Sequence, residues 1–271
     1  MLEALRAPAP GNTITWVEAA PADRTALERV HPAAYLDSLA ALAARGGGAI
    51  DADTSLGARS WESVLAAAGV AVRGVEEGLR SGTAFAATRP PGHHALAARA
   101  MGFCFVNNVV VAARHAQAHG AARILIVDWD VHHGNGTQAL VEQDRTIRFV
   151  SLHQYPWYPG TGAADERGVG NVFNVPRPPG LPRSQYVRDL LDAVDAALAD
   201  WTPDALLISA GFDSLHGDPL GGFTLHVDDI STWTGALRAR LPGRPVIALL
   251  EGGYRLDLLA GGCVALVHAL A

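Results

Sequence analysis

The run Ile124-Leu125-Ile126-Val127 leads straight into Asp128-Trp129-Asp130-Val131-His132-His133-Gly134-Asn135-Gly136, and no other stretch restricts the fold of this chain so tightly. Four consecutive apolar residues of this kind read as a strand covered on both faces, as in the interior of a parallel sheet. Side chains two apart on a strand share a face, so Asp128, Asp130 and His132 are expected to leave the strand's end on one side. Carboxylate and imidazole together suit a borderline metal such as zinc. Loops beyond the carboxyl ends of parallel strands are also where α/β folds place their chemistry.

The rest of the chain repeats this grammar. Apolar stretches at 13–18, 84–88, 122–130, 147–153, 172–175, 205–212 and 246–250 predict strands. Amphipathic stretches at 24–44 (broken at His31-Pro32), 60–79, 107–119, 183–199, 227–240 and 256–270 predict helices. Such alternation argues for a mostly parallel sheet with helices on both faces. No long linker divides the 271 residues, so one domain over 1–271 is expected. The segment Pro176–Pro182, with four prolines and a glycine, reads as a rigid loop.

Composition narrows the function classes. With 49% hydrophobic and 18% charged residues, the chain is expected to be ordered. A net charge of −6 without a Lys/Arg block argues against a nucleic-acid partner. Neither a membrane-spanning run nor a signal-peptide pattern is found. Cys104 and Cys263 form no CxxC pair, and a reducing cytoplasm is the simplest compartment.

Three further strand ends carry candidate chemistry. Arg89-Pro90-Pro91-Gly92-His93-His94-Ala95 is a stiff, irregular loop that can present two imidazoles together, or hold two solvated histidines. Asp213, after the strand at 205–212, is either a second carboxylate ligand or a cap for the next element. Glu251-Gly252-Gly253-Tyr254 offers glycines that let a ligand approach and a phenol that can serve an oxyanion, or merely pack. Taken singly each is ambiguous; together, at equivalent ends of one sheet, they point to a single site.

Through RPPGHHA (89–95), GFCFVNN (102–108), DWDVHHGNG (128–136), SLH (151–153), YPGTG (158–162), SAGFDSLHGDPLGG (209–222) and LEGGY (250–254), the chain resembles the zinc-dependent histone deacetylase and acetylpolyamine amidohydrolase family. The resemblance covers nearly the whole length, and the wording is closest to the class II branch and its bacterial relatives. It implies the three-layer arginase/deacetylase fold. It also implies that Asp130, His132 and Asp213 bind one Zn²⁺, with a position left open for water and the substrate carbonyl. His94 would be the general base and then the acid that protonates the leaving amine. His93 would be its electrostatic partner, hydrogen-bonded to Asp128, and Tyr254 would hold the oxyanion. Asn135 stands where the class I branch has an Asp beside the His94 position, and can fix the orientation of His94 without adding charge. Asp128, Asp130, His132, Ser151 and Leu152 match a structural monovalent-cation site, expected to take K⁺. Phe103 and Tyr158 match the aromatic pair around the substrate's alkyl chain, with Gly102 and Gly252 lining the same place. Leu220 falls where polyamine-selective members often carry a glutamate. A neutral residue there tilts the expected substrate towards acyl-lysine or another weakly charged amide, with acetylpolyamine or a different small amide as the alternative.

Relatives usually begin with one more strand and an HPE-type segment ahead of the helix resembling Leu2–Ala7. That strand would lie between those at 13–18 and 84–88, so a gap of about one strand spacing, ~4.8 Å, is expected. The first active-site loop and its arginine go with it. Either the start of the sequence misses residues, or this is a short form, for which a wider mouth, a lower stability or a compensating homo-oligomer is expected. Two rival readings are set aside. A two-manganese arginase pattern needs Asp two residues after His132 and two after Asp213, where Gly134 and Leu215 stand. A non-catalytic acyl-amine-binding protein has no need of Tyr254 and both loop histidines, and all three are present.

Overall fold

The computed structural model describes residues 1–6 and 14–271. Strands β1 (Gly47–Ala49) and β2 (Ser55–Gly57) form a small antiparallel hairpin. Among the described residues the main sheet has six strands: β3 (Thr83–Ala86), β4 (Ile124–Asp128), β5 (Ile147–Gln154), β6 (Val172–Arg177), β7 (Ala205–Ala210) and β8 (Val246–Leu250). Their order is β3-β8-β7-β4-β5-β6, and every pairing is parallel. All carboxyl ends therefore open on one side of the molecule.

Period-two alternation sorts the strand residues between two cores. Leu125, Val127, Val150, Leu152, Leu206, Ile208 and Ala248 pack on one face with helices α7 (Arg183–Leu198), α8 (Val227–Arg240) and α9 (Leu256–Leu270). Ile124, Ile126, Phe149, Leu207, Ile247 and Leu249 pack on the other with α4 (Ser60–Ser81) and α5 (Asn108–Ala118). The result is the helix–sheet–helix layering expected from the sequence. On α7 the buried residues are Tyr186, Leu190, Val194 and Ala197, a stripe at helical spacing. Helix α5 starts where the Asn107 side chain accepts the Val110 N–H at 3.0 Å, capping its first turn. The predicted helix 24–44 is α2 (Arg24–Glu28) and α3 (Ala33–Ala44), parted at His31-Pro32.

Two expectations change. Residues 14–18 of the predicted strand 13–18 form no strand, and Thr13 lies outside the described residues, as does Ala7 of the first helix, α1 (Leu2–Arg6). The alternation of Ile14, Trp16 and Glu18 suits a strand, but among the described residues no strand pairs with the outer edge of β3. A groove of about 500 Å³ runs there instead, lined by Trp16, Val17, Phe85 and Leu270. Second, β4 stops at Asp128 rather than Asp130.

Candidate active site

The turn after β4 replaces strand geometry with local hydrogen bonds. Asp128 Oδ1 accepts the Asp130 N–H at 3.0 Å, and Asp130 Oδ1 accepts the His132 N–H at 2.9 Å. Each carboxylate thus binds the amide two residues on, as Asp does in turns. The i, i+2 grouping survives although the strand has ended. From the end of β7, Asp213 reaches across and accepts the Val131 N–H at 2.9 Å. Asp130, His132 and Asp213 are buried, and one donor atom from each lies within 4.8 Å of the others.

The donors suit a metal ion. Nδ1 of His132 stands 3.0 Å from Asp130 Oδ1 and 3.2 Å from Asp213 Oδ2. Asp213 Oδ2 is buried without a properly directed hydrogen bond among the described residues, an orphan that a cation would satisfy. Burial and the neighbouring charge of Asp130 push the Asp213 carboxyl up to about 6. Although burial opposes it, the hydrogen bond to Asp130 and the nearby carboxylate charge of Asp213 push His132 up to about 10. A bound cation would take the place of that proton.

The β8 end closes the site. Gly252 N donates to Asp130 Oδ2 at 2.9 Å, and a Cβ at Gly252 would run into the carboxylates of Asp213 and Asp130. Gly102 is equally confined, because a Cβ there would strike the His94 ring. Glu251 went unassigned in the sequence, yet its buried carboxylate organises the histidine loop. Its Oε2 accepts the N–H groups of Gly92 (2.7 Å) and His93 (3.2 Å), and its Oε1 the Ser209 hydroxyl (3.0 Å). The charged residue before the glycines of the LEGGY segment, at the end of a wholly apolar strand, was the available signal.

His93 Nδ1 lies 3.0 Å from Asp128 Oδ2, and His94 Nδ1 lies 2.7 Å from Asn135 Oδ1. Burial alone would lower His93, but the charges of Asp130 and Asp128 raise it well above the usual imidazole range. Burial, reinforced by His93 and His132, holds His94 well below that range. The two rings, 4.0 Å apart between centres and tilted by 43°, are thus pushed in opposite directions, His93 towards the protonated form and His94 towards the neutral one. Burial and the charges of Asp130 and Asp213 raise the Tyr254 phenol, which keeps its proton.

Tyr158 packs edge-on to His94 (5.1 Å) and lies 6.1 Å from His132, whereas Phe103 packs against Tyr254 at 6.0 Å. Phe103, Leu220 and Tyr254 remain partly exposed at the rim. A cleft of about 490 Å³ beside Tyr254 is lined by Ser63, Arg89, Pro91, Phe103 and Gly252. Asp128 and Ser151 face each other in the β4–β5 register, with Leu152 next along β5. The Ser151 hydroxyl lies 2.9 Å from His153 Nδ1, and His153 Nε2 lies 2.8 Å from Gly162 O, so His153 is a packed, hydrogen-bonded histidine.

A parallel-sheet fold with a two-carboxylate, one-imidazole cluster that could hold a metal ion, beside a paired-histidine loop, fits the class of hydrolases built around a metal. The particular family follows from comparison with known proteins. The histone deacetylase domain matches residues 1–270. The chain is 44% identical over 245 residues to an uncharacterised Synechocystis protein, covering 89% of this chain and 80% of that one. It is 39% identical to the histone deacetylase-like amidohydrolase of Pseudomonas aeruginosa, covering 87% of this chain and 65% of that protein. Among solved structures, the HDA15 HD domain superposes with a TM-score of 0.90 at 37% identity, over 94% of this chain and 76% of that one. An acetylpolyamine aminohydrolase from Burkholderia pseudomallei gives 0.86 at 27% identity, over 94% and 84%. The chain belongs to the histone deacetylase domain family, whose members include deacetylases and amidohydrolases.

Proposed function

We propose that residues 1–271 act as one catalytic domain that hydrolyses the amide of an acylated amine, most simply an acetyl-lysine side chain. The observation that carries this reading is the gathering of Asp130, His132 and Asp213 within 4.8 Å, beside the ring of His94 at 5.9 Å from that of His132. Asp130, His132 and Asp213 would hold zinc. When bound, zinc polarises the amide carbonyl and acidifies water. The neutral imidazole of His94 takes a proton from the attacking water and returns it to the nitrogen as the C–N bond breaks. Asn135 orients that ring. The phenol of Tyr254 donates to the oxygen that becomes anionic, as the donors of an oxyanion hole do. His93, whose protonated form the charges of Asp130 and Asp128 favour, puts positive charge beside the reaction.

Phe103 and Tyr158 would flank the substrate's alkyl chain at the rim, with Gly102 and Gly252 leaving it room. Asp128, Asp130, His132, Ser151 and Leu152 would hold a structural K⁺. Leu220 puts no negative charge at the mouth, which supports acyl-lysine over a cationic polyamine. Two buried free cysteines suit a reducing compartment such as the cytoplasm. No helix is long and apolar enough to cross a membrane among the described residues.

The test is a panel of acetyl-lysine peptides, longer acyl-lysines, acetylated polyamines and small aryl amides, ranked by kcat/KM. Acetyl-lysine peptides are expected to rank first. Preference for acetylpolyamines would move the assignment to the small-amine branch, and no hydrolysis of any member by zinc-loaded protein would end it.

A further inference from the structure

We propose that Asp218 is the positioning residue for Tyr254, fixing the phenol where an oxyanion develops. The inference rests on the reading of Tyr254 as the oxyanion donor. Tyr254 lies in the irregular stretch between β8 and α9, and is preceded by Gly253 at φ 140°, a conformation open to glycine and rarely to other residues. The residue is 36% exposed, and the hydrogen bond it makes among the described residues is donated by its backbone N–H, not by its hydroxyl. Nothing at the tip of the side chain therefore fixes its reach. Its backbone is fixed.

Asp218 Oδ2 accepts two successive N–H groups, from Tyr254 at 2.7 Å and from Arg255 at 3.0 Å. Asp218 Oδ1 accepts the N–H of Leu220 at 3.0 Å. The carboxylate is nearly buried, so these charge-assisted bonds escape most solvent competition. The loop that carries it is itself closed. The His216 N–H donates to Leu225 O at 2.8 Å, and the Asp218 N–H to Leu215 O at 3.2 Å. Trp157 Nε1 then donates to Leu220 O at 3.0 Å, which ties in the loop bearing Tyr158. One carboxylate thus clasps the Tyr254 stretch to the Leu220 rim. Both of its oxygens act as acceptors, so an asparagine can satisfy only one side of the clasp whichever way its amide turns.

The experiment compares Asp218→Asn, Tyr254→Phe and the double variant, all zinc-loaded, by kcat, KM and zinc stoichiometry. Asp218→Asn is expected to lower kcat about tenfold or more while KM moves less than about threefold and zinc remains one per chain. In the Tyr254→Phe background, the same substitution is expected to change kcat by less than about threefold, because there is no phenol left to misplace. Unchanged kcat in Asp218→Asn overturns the proposal, and so do effects that multiply in full in the double variant. If Tyr254→Phe alone turns over like wild type, the oxyanion reading fails first and takes the proposal with it. Asp218→Glu, which keeps the charge and lengthens the side chain, is judged by the same cycle if the Asn variant does not fold.

Discussion

Asn135 Oδ1 stands 2.7 Å from Nδ1 of His94. The contact turns the ring without placing a negative charge against it, and His94 stays below the usual imidazole range. An aspartate there would favour the protonated ring. Asn135→Asp is therefore expected to move the acid limb of the kcat/KM profile to higher pH, by roughly one unit or more. A profile superimposable on wild type would separate His94 from the proton transfer.

The orphaned Asp213 Oδ2 links metal loading to stability as well as turnover. Chelation is expected to abolish hydrolysis and lower Tm, and Zn²⁺ or Co²⁺ to restore both. At a free metal concentration near 100 times Kd, the stabilisation amounts to about 2.7 kcal/mol. Full turnover by metal-free protein, with no Tm response to zinc, contradicts the metal assignment.

Gly252 gives a sharper version of the same test. A Cβ at this position would collide with both carboxylates of the cluster. Gly252→Ala is expected to lose bound zinc, measured by atomic absorption, while the circular dichroism spectrum keeps its α/β shape. Retention of one zinc per chain would show that Asp130 and Asp213 do not converge on it.

What could be read from the chain beforehand follows from which interactions are local. β4, β7 and β8 are apolar on both faces and announce themselves as interior parallel strands. The hairpin Gly47–Ala49/Ser55–Gly57 does not, because its three-residue strands are glycine-rich and half exposed. Helix α6 (Asn135–Val141) was missed because it begins within the metal-like motif, where glycine and polar residues hide its period. The stretch at 14–18 shows the opposite failure. Its alternation suits a strand, but pairing is a tertiary event, and no partner adjoins β3 on that side among the described residues. Residue types and strand ends were enough to nominate Asp130, His132, Asp213, His93, His94 and Tyr254. Asp218 stayed silent because the Tyr254 and Arg255 amides it holds lie in a distant loop and leave no mark on sequence, whereas Glu251 was marked only by its charge at the end of an apolar strand.

His31 shows how the fold bears on pH. Its Nδ1 lies 2.9 Å from Ala97 O, while its Nε2 accepts the N–H of Asn107 at 2.9 Å. That arrangement needs a neutral ring, and burial lowers His31 from the ordinary value of 6.5. The unfolded chain therefore takes up the proton first. The contribution of His31 is present in full above about pH 6.5 and is lost as pH falls towards the lower folded value. The slope in that window is at most about 1.4 kcal/mol per pH unit. Urea unfolding of wild type is expected to steepen in its pH dependence below 6.5, and His31→Gln to flatten it, even if the variant is less stable at pH 8. Because Asn107 also caps α5, the acid-induced loss is expected to appear first as faster amide exchange at the start of that helix. Equal pH slopes in the two proteins would mean that His31 accepts a proton in place without breaking its bond to Asn107.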